Sequence, residues 1–135
     1  MWEKKSGDDS IHDKDQAYVW ADAIAVLIAD LNSAPCFAGH CDWRLPNIKE
    51  LQGIVNYENV GPAVSPAFNT GCVGGATVVT GSCTASAFYW SSTSSADVPF
   101  SHGPSFAWGV VFNDGDTVAV EKNDDVHVRA VRGGL

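Results

Sequence analysis

The chain has 135 residues, which is enough for one domain with a hydrophobic core but too few for two. Its 16 acidic and 8 basic residues give a formal net charge of -8, which disfavours nucleic-acid phosphates and anionic lipids as partners. The sequence contains no run of about 18 apolar residues, so we expect no insertion into a membrane. Its 13 Gly and 6 Pro, spread between short apolar runs, predict an α+β fold with long loops.

Apolar residues recur at helical spacing in the first third of the chain. They predict an amphipathic helix from about Gln16 to Asn32, ended by the segment before Pro35. The apolar positions are Trp20, Ala21, Ile24, Leu27, Ile28 and Leu31.

A second helix is predicted by the segment Cys41–Leu51. Asn47 precedes Glu50 by three residues, the spacing of a capping box, and Pro46 stands just before the helix start. The helix should run from about Asn47 to Asn56. Its apolar face would carry Ile48, Leu51, Ile54 and Val55, with Trp43 and Leu45 also in the core.

The last third of the chain predicts strands. Phe88–Ser92 is the first, and Phe106–Phe112 alternates so that Trp108, Val110 and Phe112 share one face. The turn Asn113–Asp116 should return the chain antiparallel through Thr117–Val120. A final strand is predicted from Val126 to Val131, whereas Asn69–Ala87 is irregular.

The four cysteines form two local pairs, each inside a Gly/Pro/Ser-rich loop. Three connectivities exist, and we favour Cys36–Cys41 with Cys72–Cys83, which implies an oxidising compartment. Zinc is the alternative, although neither pair has the two-residue spacing of a zinc knuckle.

Four sequence blocks resemble the Legionella collagen-like protein C-terminal domain family and occur in the same order as in that family. They are Trp43–Leu51, Tyr89–Thr93, Ala107–Trp108 with Phe112–Gly115, and Val128–Gly134. Met1–Lys5 is similar to the end of that family's opening strand. The resemblance therefore implies a single domain over residues 1–135 that is the C-terminal part of a longer exported protein.

The resemblance also implies a C-type-lectin-like fold, in which two helices flank a small twisted antiparallel sheet with long loops. It implies kinship with formylglycine-generating enzymes and with the variable proteins of diversity-generating retroelements. Members of that family are typically exported or surface-attached, and those studied act as adhesion modules, some of which bind sulfated polysaccharides. The acidic balance argues against a sulfated ligand here, since we expect Arg44, Arg129 and Arg132 to serve the scaffold. Scaffold roles are likewise expected for Trp43, Pro46, Glu50, Trp90 and Trp108.

We expect a ligand-binding surface on the loop Thr93–Ser105 and on the turns that follow it, because these mix aromatic and small polar residues. The candidates are Ser95, Asp97, Phe100, His102, Phe106, Asn113, Asp116, Asn123, Asp125 and His127. Their alternative role is to cover the core or to form ordinary turns. The expected ligand is a protein or glycan on another cell or particle.

Other chemistries are less well supported by the sequence. The four histidines are scattered and no catalytic motif occurs, so we predict no enzyme and no required cofactor. Calcium is an alternative at two acidic groups, although we favour solvated loops there. These groups are Asp8, Asp9, Asp13 and Asp15, and Asp114, Asp116, Asp124 and Asp125. A structural domain that caps or trimerises a fibrous surface protein remains an alternative function.

Overall fold

The computed structural model of this α+β chain describes residues 1–96 and 104–133. Strands β1 (Ala17–Tyr18), β2 (Trp43–Arg44) and β3 (Phe88–Ser94) are followed by β4 (Phe106–Val111), β5 (Asp116–Glu121), β6 (Val126–His127) and β7 (Val131–Arg132). Five strands form one sheet in the order β1-β6-β3-β4-β5, and β2 pairs with β7 in a second sheet.

The predicted hairpin is confirmed, since β4 and β5 pair antiparallel from Phe106 opposite Glu121 to Val111 opposite Asp116. The expectation of a purely antiparallel sheet is wrong, because β6 lies parallel to β3. The predicted last strand also divides into β6 and β7, which belong to different sheets. At Val128–Ala130 the chain leaves the large sheet and pairs instead with Glu3.

The first helix is continuous through Trp20–Asp22, a π-helical Ala23–Ile28 and Ala29–Leu31. It begins later than predicted, because Ala17 and Tyr18 pair with β6 as a strand. Leu27, Ile28 and Leu31 are buried as predicted, but Ile24 is 42% exposed and Ala23 is fully buried. Bonding from residue i to i+5 in the π segment aligns position 23 with position 28 and turns position 24 outward.

The second helix spans Ile48–Gln52 and ends at Gly53, so it is shorter than predicted. Its capping box is confirmed: Asn47 Oδ1 accepts from Glu50 N at 2.9 Å, and Glu50 Oε2 accepts from Asn47 N at 2.8 Å. Arg44 donates both terminal nitrogens to the same carboxylate, each at 2.8 Å. The cap, the arginine and the helix start therefore share Glu50.

The large sheet has a hydrophobic core on each face. Tyr89 and Trp90 are successive residues of β3, so their side chains point to opposite faces. The first helix packs against the Trp90 face, where Leu27 and Leu31 meet Trp90 and Ala107. The second helix packs against the Tyr89 face through Leu51. Trp43 and Leu45 are buried as predicted.

A buried charged network joins the two ends of the described chain. Glu3 and Lys5 are each 1% exposed, and Glu3 Oε1 lies 3.4 Å from Lys5 Nζ and 2.9 Å from His12 Nδ1. Burial raises the pKa of Glu3, but Lys5 and His12 outweigh that effect, so the pKa lies below its ordinary value. Glu3 Oε2 also accepts from Ala130 N at 2.9 Å.

Both predicted disulfides are present, Cys36–Cys41 and Cys72–Cys83, and the described residues contain no free cysteine. Since all four sulfurs are bonded, they are not available as zinc thiolates. The second disulfide closes residues 72–83 within the irregular segment. The carbonyl of Cys83 accepts a hydrogen bond from Arg129.

Replacing Asn47 with Ala should lower the free energy of unfolding by about 1 kcal/mol, because the start of the second helix loses its side-chain acceptor. Lys49→Ala, an exposed change on the same helix, is the control. Urea unfolding with the disulfides intact measures both. Equal losses in the two variants would show that the cap contributes nothing.

Replacing Glu3 with Gln should cost about 3–5 kcal/mol at pH 7, because Lys5 would keep a buried charge without its partner. The folded-state pKa of Glu3 lies below the ordinary 4.5, so its contribution is present above pH 4.5 and is lost as the pH falls through the folded-state value. The stability difference between wild type and Glu3→Gln should therefore shrink in acid. Urea titrations from about pH 7 to 3, with exposed Glu58→Gln as control, test this. A difference independent of pH would contradict the linkage.

Candidate functional site

Two turns at the β5 edge of the sheet carry four of the predicted ligand-binding residues in exposed positions. Asn113 and Asp116 flank the β4–β5 turn, and Asn123 and Asp125 lie in the β5–β6 connection. Exposure is what a binding residue needs, and the turns are fixed to the sheet by their strands.

The β4–β5 turn is braced by a neighbouring loop. Asn113 O accepts from Gly61 N at 2.8 Å, and Phe112 O accepts from Ala63 N at 2.6 Å. Gly115 has φ +94°, and a Cβ there would lie 2.5 Å from Val55 Cγ1, so the turn requires glycine. The side chains of Asn113 and Asp116 are therefore displayed from a backbone with little freedom to move.

The β5–β6 connection must cross the sheet, because β5 is an edge strand and β6 lies beyond β3. Lys122 Nζ lies 4.1 Å from the centroid of the Trp20 ring and donates to Ser94 Oγ at 2.7 Å. Because Trp20 packs on the Trp90 face, the connection crosses that face. Asp124 N donates to Glu121 O at 2.9 Å, which closes the turn before the crossing.

We call the β5–β6 connection, residues 122–125, the crossing segment. A concavity lies beside it. Its volume is about 390 Å³, and its lining is Phe88, Val120, Asp124, Asp125 and Val126. Phe88 is 45% exposed although it is a large apolar side chain. The concavity therefore combines an apolar floor with carboxylates on its rim.

The residues that line this concavity were mostly missed by the sequence analysis. Phe88 was predicted as a strand residue, and only the period of two, which places it on the Trp90 face, could have suggested a surface role. Its exposure depends on where the first helix stops covering that face. That position follows from packing rather than from the local sequence.

The other predicted ligand-binding residues do not join the exposed turns. Ser95 is 3% exposed and its backbone N donates to Phe106 O at 2.9 Å, so the structure places its side chain in a buried position. Phe106 is only half-buried. Asp97, Phe100 and His102 lie outside the described residues.

His127 is half-buried on the opposite face of the sheet. Its ring lies 5.5 Å from the ring of Tyr89, its register partner across β6 and β3. Burial lowers the pKa of His127, and Asp15 opposes that shift. His127 therefore packs against the core cluster of Tyr89 and is not part of the exposed turns.

Most of the predicted scaffold residues have structural partners. Arg44 binds Glu50, and Arg132 Nε donates to Asp42 at 2.7 Å. Arg129 is 1% exposed, with its guanidinium carbon 5.4 Å from the Phe68 ring centroid. Trp43 and Trp90 are buried in the core, and so is Pro46. Trp108 is half-buried and belongs to neither core cluster.

The acidic residues of the first loop stabilise the loop itself. Asp13 accepts from the backbone nitrogens of Asp9 and Asp15, and Asp8 accepts from Ser6 Oγ at 2.6 Å. Within residues 1–96 and 104–133, no group of three or more His, Cys, Asp or Glu is arranged to hold a metal ion. In the same ranges no helix is long and apolar enough to span a membrane.

The chain is thus an α+β domain with two disulfides, in which the two segments that flank the edge strand β5 carry exposed polar side chains. The chain belongs to the Lcl C-terminal domain family, whose model it matches over residues 1–132. Comparison with curated proteins found no match, and neither did comparison with solved structures.

Substitutions in the exposed turns should leave the fold intact. Asp116→Ala and Asn123→Ala should each change the free energy of unfolding by no more than about 0.5 kcal/mol, because neither side chain is buried. Ser95→Trp should cost several times more, since a buried site cannot hold the added volume. Thermal unfolding of the three variants tests the assignment, which a large loss in either turn variant would contradict.

Proposed function

We propose that this chain is an extracellular ligand-binding module that acts in adhesion or recognition and has a C-type-lectin-like fold. One observation carries the proposal: Asn113, Asp116, Asn123 and Asp125 are exposed on turns that the rest of the fold holds in place. A rigid frame with exposed polar side chains limits the entropy lost on binding. The two disulfides suit an oxidising, extracellular location.

The charges favour a ligand other than a sulfated glycan. Arg44 and Arg132 are engaged by Glu50 and Asp42, so their positive charges are already paired. The exposed turns carry carboxylates, which repel sulfate groups. The proposed ligand is therefore a protein or a glycan without sulfate, on another cell or particle.

Membership of the retroelement-variable class is a narrower form of this proposal. The class implies a near-copy of the 3' coding stretch beside a reverse-transcriptase gene, differing from it at adenines. Such a copy would support the narrower form, and its absence from the genome would remove that form while leaving the adhesion module.

We propose no catalytic role. His12 Nδ1 lies 2.9 Å from the buried Glu3 carboxylate, and His127 packs on Tyr89, so both rings are engaged in the fold. An acid or base in catalysis would need access to a substrate.

A structural cap of a fibrous surface protein is the second candidate. Ile24 and Val26 of the first helix are 42% and 51% exposed, and apolar side chains of this size are often covered in oligomers. Light scattering coupled to size exclusion separates the two candidates. A trimer that is lost on Ile24→Ser would favour the cap, and a monomer would exclude trimerisation.

Binding should depend on the turns themselves. The domain, with its disulfides intact, would be applied to a glycan array and to an array of purified extracellular proteins. We expect a ligand whose affinity falls at least about fivefold in Asn113→Ala/Asn123→Ala, a variant that alters both turns without changing charge. Gln16→Ala, at an exposed position outside the turns, is the control. A ligand bound equally by all three proteins, or no ligand on either array, would contradict the proposal.

A further inference from the structure

At the exposed end of the Trp90 face, a row of three paired residues crosses β3, β4 and β5, with apolar side chains in β3 and β4 and a carboxylate in β5. Phe88 of β3 lies opposite Val111 of β4, which lies opposite Asp116 of β5. Residues paired in this way share a face, so Phe88, Val111 and Asp116 are on the same side of the sheet. Phe88 is 45% exposed, and the first helix does not cover it.

The crossing segment forms one wall of this surface. It places Asp124 and Asp125 beside Phe88, Val120 and Val126, around the concavity of about 390 Å³. Among the residues that the structure describes, neither of these carboxylates takes part in an ion pair. An exposed apolar floor with unneutralised carboxylates at its rim has a defined charge complement.

The nearest lysine on this segment does not neutralise the rim. Lys122 Nζ is directed to the Trp20 ring and to Ser94 Oγ, at the other end of the crossing. The chain as a whole carries a formal charge of -8, which adds to the negative potential at the rim. A positively charged partner would therefore be attracted before contact and stabilised after it.

We propose that this surface binds a segment of a partner protein in which Lys or Arg stands next to an aliphatic or aromatic residue. The apolar side chain would cover Phe88 and Val120, and the cation would lie between Asp124 and Asp125. The aliphatic stem of Lys or Arg suits an apolar floor, since it can be buried while its charge reaches the rim. This inference rests on the proposed function and names the chemistry of its ligand.

A library of linear dodecapeptides displayed on phage would be selected against the immobilised, disulfide-intact domain at about 0.15 M salt, where the Debye length is about 8 Å. We expect enrichment of peptides with Lys or Arg beside an apolar residue. Enrichment of acidic or uncharged peptides instead, or no enrichment, would overturn the inference.

A selected peptide would then be titrated against two variants of the surface. In Asp124→Asn/Asp125→Asn its Kd should rise roughly fivefold, which corresponds to two exposed charge pairs. In Phe88→Ser the Kd should rise by a similar factor or more, because the apolar contact is lost. Raising the salt from 0.05 to 0.5 M should weaken binding to wild type more than to the Asn variant.

Each variant of the surface has a control in which the same type of substitution is made at an exposed position outside the surface. Asp22→Asn/Asp30→Asn makes the same change of net charge on exposed positions of the first helix, and Val79→Ser removes another exposed apolar side chain. Equal losses in variant and control would show a non-specific charge or apolar effect and would overturn the inference. Near-ultraviolet circular dichroism establishes that each variant is folded.

Different binding results would contradict the inference and the proposed function. If an array ligand loses affinity in Asn113→Ala/Asn123→Ala but not in Asp124→Asn/Asp125→Asn, the turns bind a ligand and the cationic assignment is wrong. If neither pair of substitutions changes the affinity of any ligand, both fail.

Discussion

The rest of the structure depends on the buried contact between Glu3 and Ala130. Glu3 N donates to Ala130 O and Glu3 Oε2 accepts from Ala130 N, each at 2.9 Å. Glu3 therefore forms hydrogen bonds with both the carbonyl and the N–H of Ala130. A buried carboxylate is tolerable only with such partners, and Lys5 and His12 supply the rest. The contact joins residues 127 positions apart and places the last strand where β2 can pair with it.

We call the Glu3–Ala130 contact, together with the pairing of β2 and β7, the closure of the fold. The Trp43–Leu51 segment belongs to this closure, whereas the exposed turns do not. β2 leads directly into Leu45, Pro46 and the capped helix, so the Trp43–Leu51 segment is held at both of its ends. Arg44 Nη2 also donates to Gly133 O at 2.8 Å, which ties this segment to the end of the described chain. The β4–β5 turn adjoins the edge strand β5, and the crossing segment runs from β5 over the Trp90 face to β6. Neither contains a residue of the contact between Glu3 and Ala130.

Local chemistry explains which parts of this fold could be predicted. The capping box, the Asn113–Asp116 turn and the two short cystine loops each depend on residues close in sequence, and all three predictions are confirmed. The division of the last predicted strand could not be foreseen, because it depends on Glu3 at the other end of the chain. Glu3 and Lys5 are charged, and charge alone predicts exposure until their contact with each other is known. The surface that we propose for binding follows only in part from the sequence: composition indicated the turns, but Phe88 is placed near them by strand register, which local sequence does not show.

The central claim is that the protein recognises its partner with the β4–β5 turn and the crossing segment, and not with the closure that holds the fold. Hydrogen exchange of the domain, alone and saturated with a partner identified by binding, measures this most directly. We predict slower exchange on binding within residues 111–126 and unchanged exchange at Trp43–Leu51. Protection centred on Trp43–Leu51 or on the first helix, with residues 111–126 unaffected, would contradict the account.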